Sequence, residues 1–276
     1  MVRRTRAAKP QDHATEPDET AMNTKNNNKT AKTANVPRRA MILAAGHGIR
    51  MRPITDKTPK PMIKVDGKPL LTHALQRLEA MGVTDVVINT HHLADKIKRH
   101  YNCYDGATLH FSHEKNLLET GGGVKNALSM LGDEPFFVVN GDAFWLNGPT
   151  DTLARLAMQW APDKMDALLM LHSTVDAYGY NGLGDFQCEA DGKLIRRVEQ
   201  EVAPWLFAGV QILNPKVLRN APEGSFSLNW VYDRALEADR LFGMIHDGEW
   251  FHIGTPDGLD EAESYMQTTF AETKHR

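Results

Sequence analysis

The sequence predicts an α/β fold, in which a mostly parallel sheet with helices on both faces is followed by an antiparallel half. Between residues 38 and 142, patterns of buried strands alternate with patterns of amphipathic helices, which is the order that builds a parallel sheet. The strands there are short and nearly unbroken apolar runs, such as AMILAA, so both of their faces are expected to be covered. The second half carries strand patterns separated by turn signals, and these favour antiparallel pairing.

The elements of the first half follow one another in a Rossmann-like order. The strand AMILAA leads into a basic loop, and the helix PLLTHALQRLEAMG begins after that loop and is stopped by Gly82. The rest of this half is predicted as a strand at DVVINT, a helix at ADKIKRHY, a strand at TLHFSHE, a helix at VKNALSML and a strand at FFVVNGD.

The second half is predicted to hold more strands than helices. Asp191-Gly192 is a turn signal, so the stretch GDFQCEADGKLIRRVE is expected to form a hairpin. A second hairpin is expected in LFGMIHDGEWFHIG, residues 241–254. The other elements are strands at DALLMLHS and WLFAGVQIL and helices near residues 229–238 and 257–266.

Composition sets limits on the domains and partners of the chain. Residues 1–36 are rich in Asn, Lys, Thr, Ala and Pro and are predicted to be disordered, residues 37–270 to form a single domain, and residues 271–276 to be a tail. A formal net charge of −3 argues against a protein that coats nucleic acid or an anionic membrane. The basic N-terminus lacks an apolar signal-peptide core, so we expect a cytoplasmic protein without a membrane partner. A homodimer is compatible with this composition.

The loop after the first strand carries the densest chemical signal in the chain. It reads LAAGHGIRMRPITDKTPKPM, residues 43–62, and combines glycines with several cations and a single acid. It follows the carboxyl end of a parallel strand, where such sheets bind ligands. Gly46 and Gly48 let the backbone approach a ligand closely, and Arg50 and Lys60 add positive charge at the same place. We therefore expect the loop to bind a polyphosphate, with Lys60 as an exposed cation.

Two common phosphate-binding motifs do not fit this loop. A dinucleotide fingerprint needs a third glycine where this chain has Met51, and Pro53 would break the helix that such a motif opens. A Walker A loop needs GxxxxGK[ST], and the sequence does not contain that pattern.

The loop closely resembles the signature of the sugar-nucleotidyltransferase superfamily, LAxGxGxRmxPlTxxxPKpm. The matching positions are Leu43, Ala44, Gly46, Gly48, Arg50, Met51, Pro53, Thr55, Pro59, Lys60, Pro61 and Met62. The resemblance extends over about residues 38–268, through ETGGGV (119–124), NGD (140–142), VEQ (198–200) and WFHIGTP (250–256). It implies a glycosyltransferase-A-like nucleotidyltransferase fold and an enzyme that couples a nucleoside triphosphate to a sugar 1-phosphate.

The resemblance also implies roles for individual residues. Arg50 and Lys60 are expected to bind the triphosphate and to stabilise charge as pyrophosphate leaves, while Asp142 is expected to hold Mg²⁺, with Mn²⁺ as an alternative. His252 stands where the superfamily usually has an aspartate, the second metal ligand. The implied nucleotide-binding set is Ala44, Ala45, Gly46, Gly48, Arg50, Lys60, Gly121, Gly122 and Asn140. The implied sugar-binding set is Asp185, Glu199 and Gly209.

The sequence alone does not decide which nucleoside triphosphate and which phosphorylated acceptor the chain uses. The LETGGG form most resembles the N-acetylmuramate 1-phosphate uridylyltransferases, so UTP and N-acetylmuramate 1-phosphate are the first expectation. Mannose 1-phosphate with GTP, or phosphocholine with CTP, would keep the same mechanism. A nucleotide-binding regulator that has lost catalysis is the alternative of another class.

Overall fold

The computed structural model describes residues 36–270, apart from the side chain of Phe270. The predictions for residues 1–36 and 271–276 therefore lie outside the described residues, with the exception of Val36. The strands are β1 (Arg39–Leu43), β2 (Lys64–Val65), β3 (Lys68–Pro69), β4 (Asp85–Thr90), β5 (Thr108–His113), β6 (Phe136–Asn140), β7 (Ala143–Leu146), β8 (Ala167–Ser173), β9 (Phe186–Cys188), β10 (Leu194–Arg196), β11 (Trp205–Leu213), β12 (Leu241–Ile245) and β13 (Glu249–His252). The helices are α1 (Leu70–Ala80), α2 (Ala94–His100), α3 (Glu119–Leu131), α4 (Thr152–Gln159), α5 (Asn229–Glu237) and α6 (Pro256–Phe270).

The first half of the chain forms the parallel part of a nine-stranded sheet, as predicted. Seven strands follow the order β10-β9-β11-β6-β1-β4-β5, with β8 beside β11 and β12 beside β8. Strand β1 pairs in parallel with β4 and with β6, and β4 pairs in parallel with β5. In the second half, β11 runs antiparallel to both β6 and β8, whereas β12 runs parallel to β8. The sheet is therefore mixed, and the predicted antiparallel half is confirmed around β11.

Helices cover both faces of this sheet because successive side chains of a strand point to opposite sides. On β1, Ala40 and Ile42 lie in the same core cluster as Leu75 of α1. Met41, between them, lies in a second cluster with Val124 of α3. All five side chains are fully buried. Two cores, one on each face, therefore hold the sheet rigid beneath the loops that leave its strand ends.

The strand order reverses direction at β1, and this fixes where a ligand cavity can form. After β1 the chain continues to β4 and β5 on one side, and it then crosses to β6 on the other side of β1. The loops that leave β1 and β6 consequently diverge, and the crevice between them is the usual binding position in sheets of this kind.

Helix α3 begins earlier than the sequence pattern predicts. The expected start was Val124, but the helix begins at Glu119 and includes the glycine triplet. A Cβ at Gly121 would overlap the ring of Phe226, so only glycine lets the helix pack this closely on the segment before α5. The carbonyl of Phe226 accepts the N–H groups of Gly121 and Gly122, at 2.9 and 3.0 Å, which a helix start would otherwise leave unpaired. Tertiary packing overrides the low helix propensity of glycine here.

One predicted hairpin is confirmed and the other is wrong. Strands β9 and β10 pair antiparallel around a turn in which Gly192 has a φ of +89°. Residues 241–254 do not form a hairpin, because β12 joins β8 in the main sheet while β13 pairs with β7 in a separate two-stranded sheet. Four of the five residues of β12 are buried, which suits a strand inside the main sheet better than a half-exposed hairpin arm.

Within residues 36–270, none of the helices combines the length and the apolar character that crossing a membrane requires.

Candidate active site

The basic loop after β1 is wound into three short 3₁₀ turns, at Ile49–Met51, Ile54–Asp56 and Lys60–Met62. Gly48 has a φ of +63°, and a Cβ at this position would lie 2.8 Å from the Cγ2 atom of Thr55, so glycine is required there. The Thr55 hydroxyl donates a hydrogen bond of 2.8 Å to the carbonyl of Gly48. Met51 is completely buried beneath the loop. The loop is thus held in one shape by its own side chains.

A cavity of about 280 Å³ lies at the crevice between β1 and β6. Its wall is built from the start of the basic loop, from the ends of β4 and β6, and from the residues that open α3. The lining residues are Leu43, Ala44, Ala45, Gly46, Gly48, Lys60, Pro61, Asn89, Leu117, Glu119, Thr120, Asn140 and Asp142. Six of the nine residues predicted to bind nucleotide therefore face one cavity, at the position that the sheet topology indicates. Arg50, exposed to solvent, lines an adjoining recess with Lys60 and Asp142.

An ion pair closes one side of this cavity. The Nζ atom of Lys60 donates to Oδ2 of Asp142 at 2.5 Å. Asp142 is placed by Gly141, whose N–H donates 2.8 Å to the carbonyl of Leu43 and so ties the end of β6 to the end of β1. The side chain of Lys60 is only 13 % exposed, so the expectation of an exposed loop cation is wrong. The loop turns inward at this residue because its charge has a carboxylate partner across the crevice.

A buried chain of hydrogen bonds fixes the first residue of the loop. The N–H of Ala44 donates 2.7 Å to Oδ1 of Asn89, and Nδ2 of Asn89 donates 2.7 Å to the carboxylate of Glu114. The second oxygen of Glu114 accepts the N–H of Leu118 at 2.9 Å. Both Asn89 and Glu114 are almost completely buried. Because an N–H can only donate and a carboxylate only accepts, the orientation of the Asn89 amide is set from both sides.

Gly121 and Gly122, predicted to bind nucleotide, are buried against Phe226 and do not line the cavity. The residues just before them, Glu119 and Thr120, line it instead. Glu119 has a φ of +58°, which is uncommon for a residue with a side chain.

His252 lies within electrostatic reach of the Lys60–Asp142 pair. It is the last residue of β13, opposite Ala143 of β7, the residue after Asp142. A Cβ at Gly254 would overlap the imidazole of His252, so glycine leaves room for the ring there. Burial lowers the pKa of His252, the charges of Lys60 and Arg50 lower it further, and Asp142 acts in the opposite direction. The imidazole is therefore neutral at pH 7.

The three residues predicted to bind the sugar are not equally close to the cavity. Gly209 has a φ of +81°, in a part of β11 that bulges away from β8, and a Cβ there would lie 3.1 Å from Nδ2 of Asn140. The carboxylate of Asp185 accepts the N–H of Phe207 at 2.8 Å, so it also holds β11. Glu199 is exposed and forms no hydrogen bond or ion pair with any other described residue. Gly209 thus packs against Asn140 of the cavity wall, and Glu199 does not line the cavity.

Comparison with known proteins identifies the family. The nucleotidyl transferase family matches residues 39–269. The chain belongs to the nucleotidyl transferase family. It is 38% identical over 235 residues to the N-acetylmuramate alpha-1-phosphate uridylyltransferase of Caulobacter vibrioides, covering 83% of this chain and 97% of the relative. It is equally 38% identical over 235 residues to the enzyme of the same name from Neisseria meningitidis, covering 82% and 97%.

A solved structure agrees with the fold of this nucleotidyl transferase. HddC from Yersinia pseudotuberculosis, complexed with GMP-PN, superposes with a TM-score of 0.67 at 22% identity, covering 83% of this chain and 99% of that one. At this level of identity the likeness concerns the fold, and it confirms the predicted α/β class.

The described residues of this nucleotidyl transferase fit a divalent metal that arrives with its own ligands. No group of three or more His, Cys, Asp or Glu side chains in residues 36–270 is arranged to hold a metal ion. Asp142 offers hard carboxylate oxygen and His252 a neutral imidazole nearby. Mg²⁺ is commonly bound by one or two carboxylates together with substrate phosphates, so this small donor set is sufficient for it.

The sequence interpretation missed four polar residues of the cavity wall and its support. They are Asn89, Glu114, Glu119 and Thr120. A usable signal existed for the first two, since each stands at the carboxyl end of a parallel strand, Asn89 in β4 and Glu114 directly after β5. Glu119 and Thr120 could not be placed without knowing that α3 begins at Glu119, ahead of the glycine triplet.

Proposed function

We propose that this chain transfers a uridylyl group from UTP to N-acetylmuramate 1-phosphate and releases pyrophosphate. The observation that carries the proposal is the Lys60–Asp142 pair across a cavity lined by the glycine loop. This cavity lies between β1 and β6, where the strand order reverses. The chain is also 38% identical to the two uridylyltransferases named above. The product would be a nucleoside diphosphate sugar.

The chemistry requires two anions to meet. An oxygen of the sugar 1-phosphate attacks the α-phosphorus of UTP, and the bond from that phosphorus to the oxygen bridging to the β-phosphate breaks, so pyrophosphate leaves. Cations aimed at the phosphates lower the barrier because they stabilise the charge that develops on the leaving group. Lys60 is held at the cavity wall by Asp142, and Arg50 forms no ion pair with any described residue. Both are available to phosphate oxygens.

We place a divalent cation, Mg²⁺ with Mn²⁺ as an alternative, at Asp142. The bound ion would neutralise phosphate charge and orient the triphosphate. The Lys60–Asp142 ion pair would then open, which frees one oxygen of Asp142 for the metal and the ammonium of Lys60 for a phosphate. His252, neutral and nearby, would be a second ligand or a hydrogen-bonding neighbour of the phosphates.

The sugar is proposed to lie between the cavity and β11. Asn140 and Gly209 stand at the border, where the left-handed backbone of Gly209 brings β11 against the end of β6. Asp185 supports this wall through Phe207, and exposed Glu199 would reach a sugar hydroxyl only after the segment between β10 and β11 moves inward. Such a uridylyl transfer would serve cell-wall recycling in the cytoplasm. We also propose that the chain forms a homodimer.

A matrix of substrates tests this function. Four nucleoside triphosphates are each incubated with N-acetylmuramate 1-phosphate, mannose 1-phosphate, glucose 1-phosphate and phosphocholine, and released pyrophosphate is measured. We expect the UTP and N-acetylmuramate 1-phosphate pair to give the highest kcat/KM. A preference for GTP with mannose 1-phosphate or for CTP with phosphocholine would replace the proposed substrates. No pyrophosphate from any pair would support a non-catalytic nucleotide-binding protein instead.

A further inference from the structure

The recess beside the proposed catalytic cavity carries a polar side chain that the proposed function does not use. The recess has a volume of about 390 Å³, a size common for small-molecule sites. Lys60 and Asp142 face both the cavity and the recess, and the recess adds Arg50 and His47 to its wall. Because Arg50 forms no ion pair with any described residue, the recess favours an anionic ligand.

His47 stands between the two glycines of the basic loop, Gly46 and Gly48, and its side chain is exposed. Neither of its ring nitrogens forms a hydrogen bond or an ion pair within residues 36–270. An imidazole has at least one N–H in either charge state, and that N–H can only donate. The wall of the recess therefore offers a hydrogen-bond donor to an anion.

Two other histidines restrict the ring of His47 although it is exposed. The ring centroids of His47 and His91 lie 5.4 Å apart, with the ring planes at 84°. Those of His47 and His92 lie 5.3 Å apart, with the planes at 55°. Rings at these separations and angles are in contact. A side chain that is already held in place loses less conformational freedom when it binds, so this packing suits a ligand-binding residue.

Backbone carbonyls fix the two supporting rings. Nδ1 of His91 lies 2.9 Å from the carbonyl oxygen of Glu114, and Nε2 of His92 lies 3.0 Å from that of Thr55. A carbonyl oxygen only accepts, so each of these nitrogens carries a proton and donates. The hydroxyl of Thr55 also donates to the carbonyl of Gly48. The contacts that shape the basic loop therefore also support the histidine rings.

The three imidazoles do not form a metal site. In the part of the chain that the structure describes, no group of three or more His, Cys, Asp or Glu side chains is arranged to hold a metal ion. One nitrogen of His91 and one of His92 are already bonded to carbonyl oxygens. Metal ligands must direct their nitrogens to a common point, whereas these rings contact one another edge-on or tilted. The cluster therefore supports one exposed imidazole.

We propose that His47 binds the β- and γ-phosphates of the nucleoside triphosphate in this recess and stays hydrogen-bonded to pyrophosphate as it leaves. A phosphate chain that passes Lys60 and Asp142 in the cavity continues into the recess, since both residues line both spaces. When the bond from the α-phosphorus to the bridging oxygen breaks, that oxygen keeps the electron pair and negative charge builds up on pyrophosphate. An N–H of His47 donates to one of its oxygens, and no proton is transferred. This inference rests on the proposed nucleotidyl transfer.

Binding of inorganic pyrophosphate tests the inference, because pyrophosphate contains neither a base nor a sugar. Titration calorimetry of the full chain with MgCl₂ compares pyrophosphate with UMP, which lacks the β- and γ-phosphates. His47→Phe keeps a ring but has no N–H, and it should bind pyrophosphate about tenfold more weakly than wild type. His47→Gln keeps an N–H without the ring and should stay within about threefold of wild type. UMP should bind all three proteins equally.

Turnover provides the second measurement. For the triphosphate preferred in the substrate matrix, kcat/KM should fall about 10- to 100-fold in His47→Phe, because a donor to the leaving group is lost. His100→Phe is the matched control. His100 is an exposed histidine at the end of α2 that lines neither the cavity nor the recess, so this variant should keep wild-type values in both assays.

Four results would overturn the proposal. They are no saturable binding of pyrophosphate by wild type up to about 10 mM, wild-type binding by His47→Phe, a His47→Gln protein as weak as His47→Phe, and an equal loss of UMP and pyrophosphate affinity. The last would show that the substitution alters the whole loop. A chain that shows the expected pyrophosphate binding but turns over no substrate pair would refute the proposed function and still support His47 as a pyrophosphate ligand.

Discussion

The two cavities at one end of the main sheet differ in chemistry although the same strand geometry creates them. The first opens between β1 and β6, and its wall is glycine backbone and a lysine paired with Asp142. The second, of about 710 Å³, opens beyond the carboxyl ends of β8 and β12, and its wall carries the carboxylates of Asp176, Glu249 and Glu261. Each cavity lies at the carboxyl ends of two parallel strands.

The difference shows that topology locates a site while side chains choose its ligand. The first cavity presents N–H groups and cations, which favour phosphates. The second presents carboxylates, which favour positively charged groups. The predictions below separate the two cavities, beginning with the variant that should affect turnover most.

Asp142→Ala should abolish turnover. The change removes the carboxylate proposed to hold the metal and leaves the ammonium of Lys60 without its partner at 2.5 Å. We expect kcat/KM to fall by more than about three orders of magnitude in a Mg²⁺ assay. The control is Asp176→Ala, which removes a carboxylate from the second cavity. Turnover above a tenth of wild type in a folded Asp142→Ala protein would take Asp142 out of the mechanism.

Lys60→Ala should lower kcat/KM by roughly two to three orders of magnitude, the usual effect of losing one preorganised charge donor. Lys57→Ala is the matched control, because Lys57 is an exposed lysine of the same loop. The melting temperature should fall only slightly, since Asp142 is partly exposed and water can solvate it once the lysine is gone. Wild-type kinetics in the folded variant would show that the ion pair is only structural.

Asn89→Ala should reduce kcat/KM by about 10- to 100-fold, mainly through KM for the triphosphate. The change leaves the N–H of Ala44 and one oxygen of the buried Glu114 carboxylate without partners, so the start of the loop loses its anchor. We also expect unfolding free energy to drop by about 1–3 kcal/mol, measured by urea denaturation. Asn126→Ala, on the neighbouring helix, is the control. A stability loss with unchanged KM would assign Asn89 to folding alone.

His252→Ala should slow turnover by a smaller factor than Asp142→Ala, and His252→Asp should retain or improve it, because aspartate supplies a harder ligand. If His252→Ala is as inactive as Asp142→Ala, and Mn²⁺ or Zn²⁺ strongly outperforms Mg²⁺ in the wild type, His252 ligates the metal directly.

The depressed pKa of His252 also predicts a stability effect. The neutral ring contributes its full stabilisation of the folded state at pH values above 6.5, the pKa of histidine in the unfolded chain. This stabilisation is lost as the pH falls from 6.5 through the lower pKa of the folded state. Urea unfolding between pH 7 and pH 4.5 should therefore show a weaker acid dependence for His252→Ala than for wild type. An unchanged acid dependence would contradict the pKa direction.

The smallest effect on turnover is expected in the second cavity. His172→Phe and Asp176→Asn should keep the wild-type kcat and KM for UTP, because neither residue lines the first cavity. A tenfold loss of kcat/KM for UTP in either folded variant would show that the two cavities act as one functional site.

Much of the first half was predictable because its signals are local. The apolar runs of β1, β4, β5 and β6 and the Gly82 stop after α1 are readable without tertiary contacts. The glycine loop was placed at the carboxyl edge of the sheet by the rule for parallel strands.

What failed depends on partners distant in the chain. The start of α3 depends on Phe226, and the pairing of β12 and β13 depends on which earlier strand has a free edge. The burial of Lys60 depends on its ion-pair partner Asp142. No local pattern contains this information.

The most direct test follows the phosphorus atoms themselves. Phosphorus NMR of UTP with N-acetylmuramate 1-phosphate, Mg²⁺ and the wild-type protein should show pyrophosphate and the two coupled phosphates of a UDP-sugar rising in equal amounts. Lys60→Ala should form both products at least about 100-fold more slowly than the wild type. Asp176→Asn should form them at the wild-type rate. Equal rates for Lys60→Ala and wild type, or a wild type that releases no pyrophosphate, would contradict a catalytic site at the β1–β6 crevice.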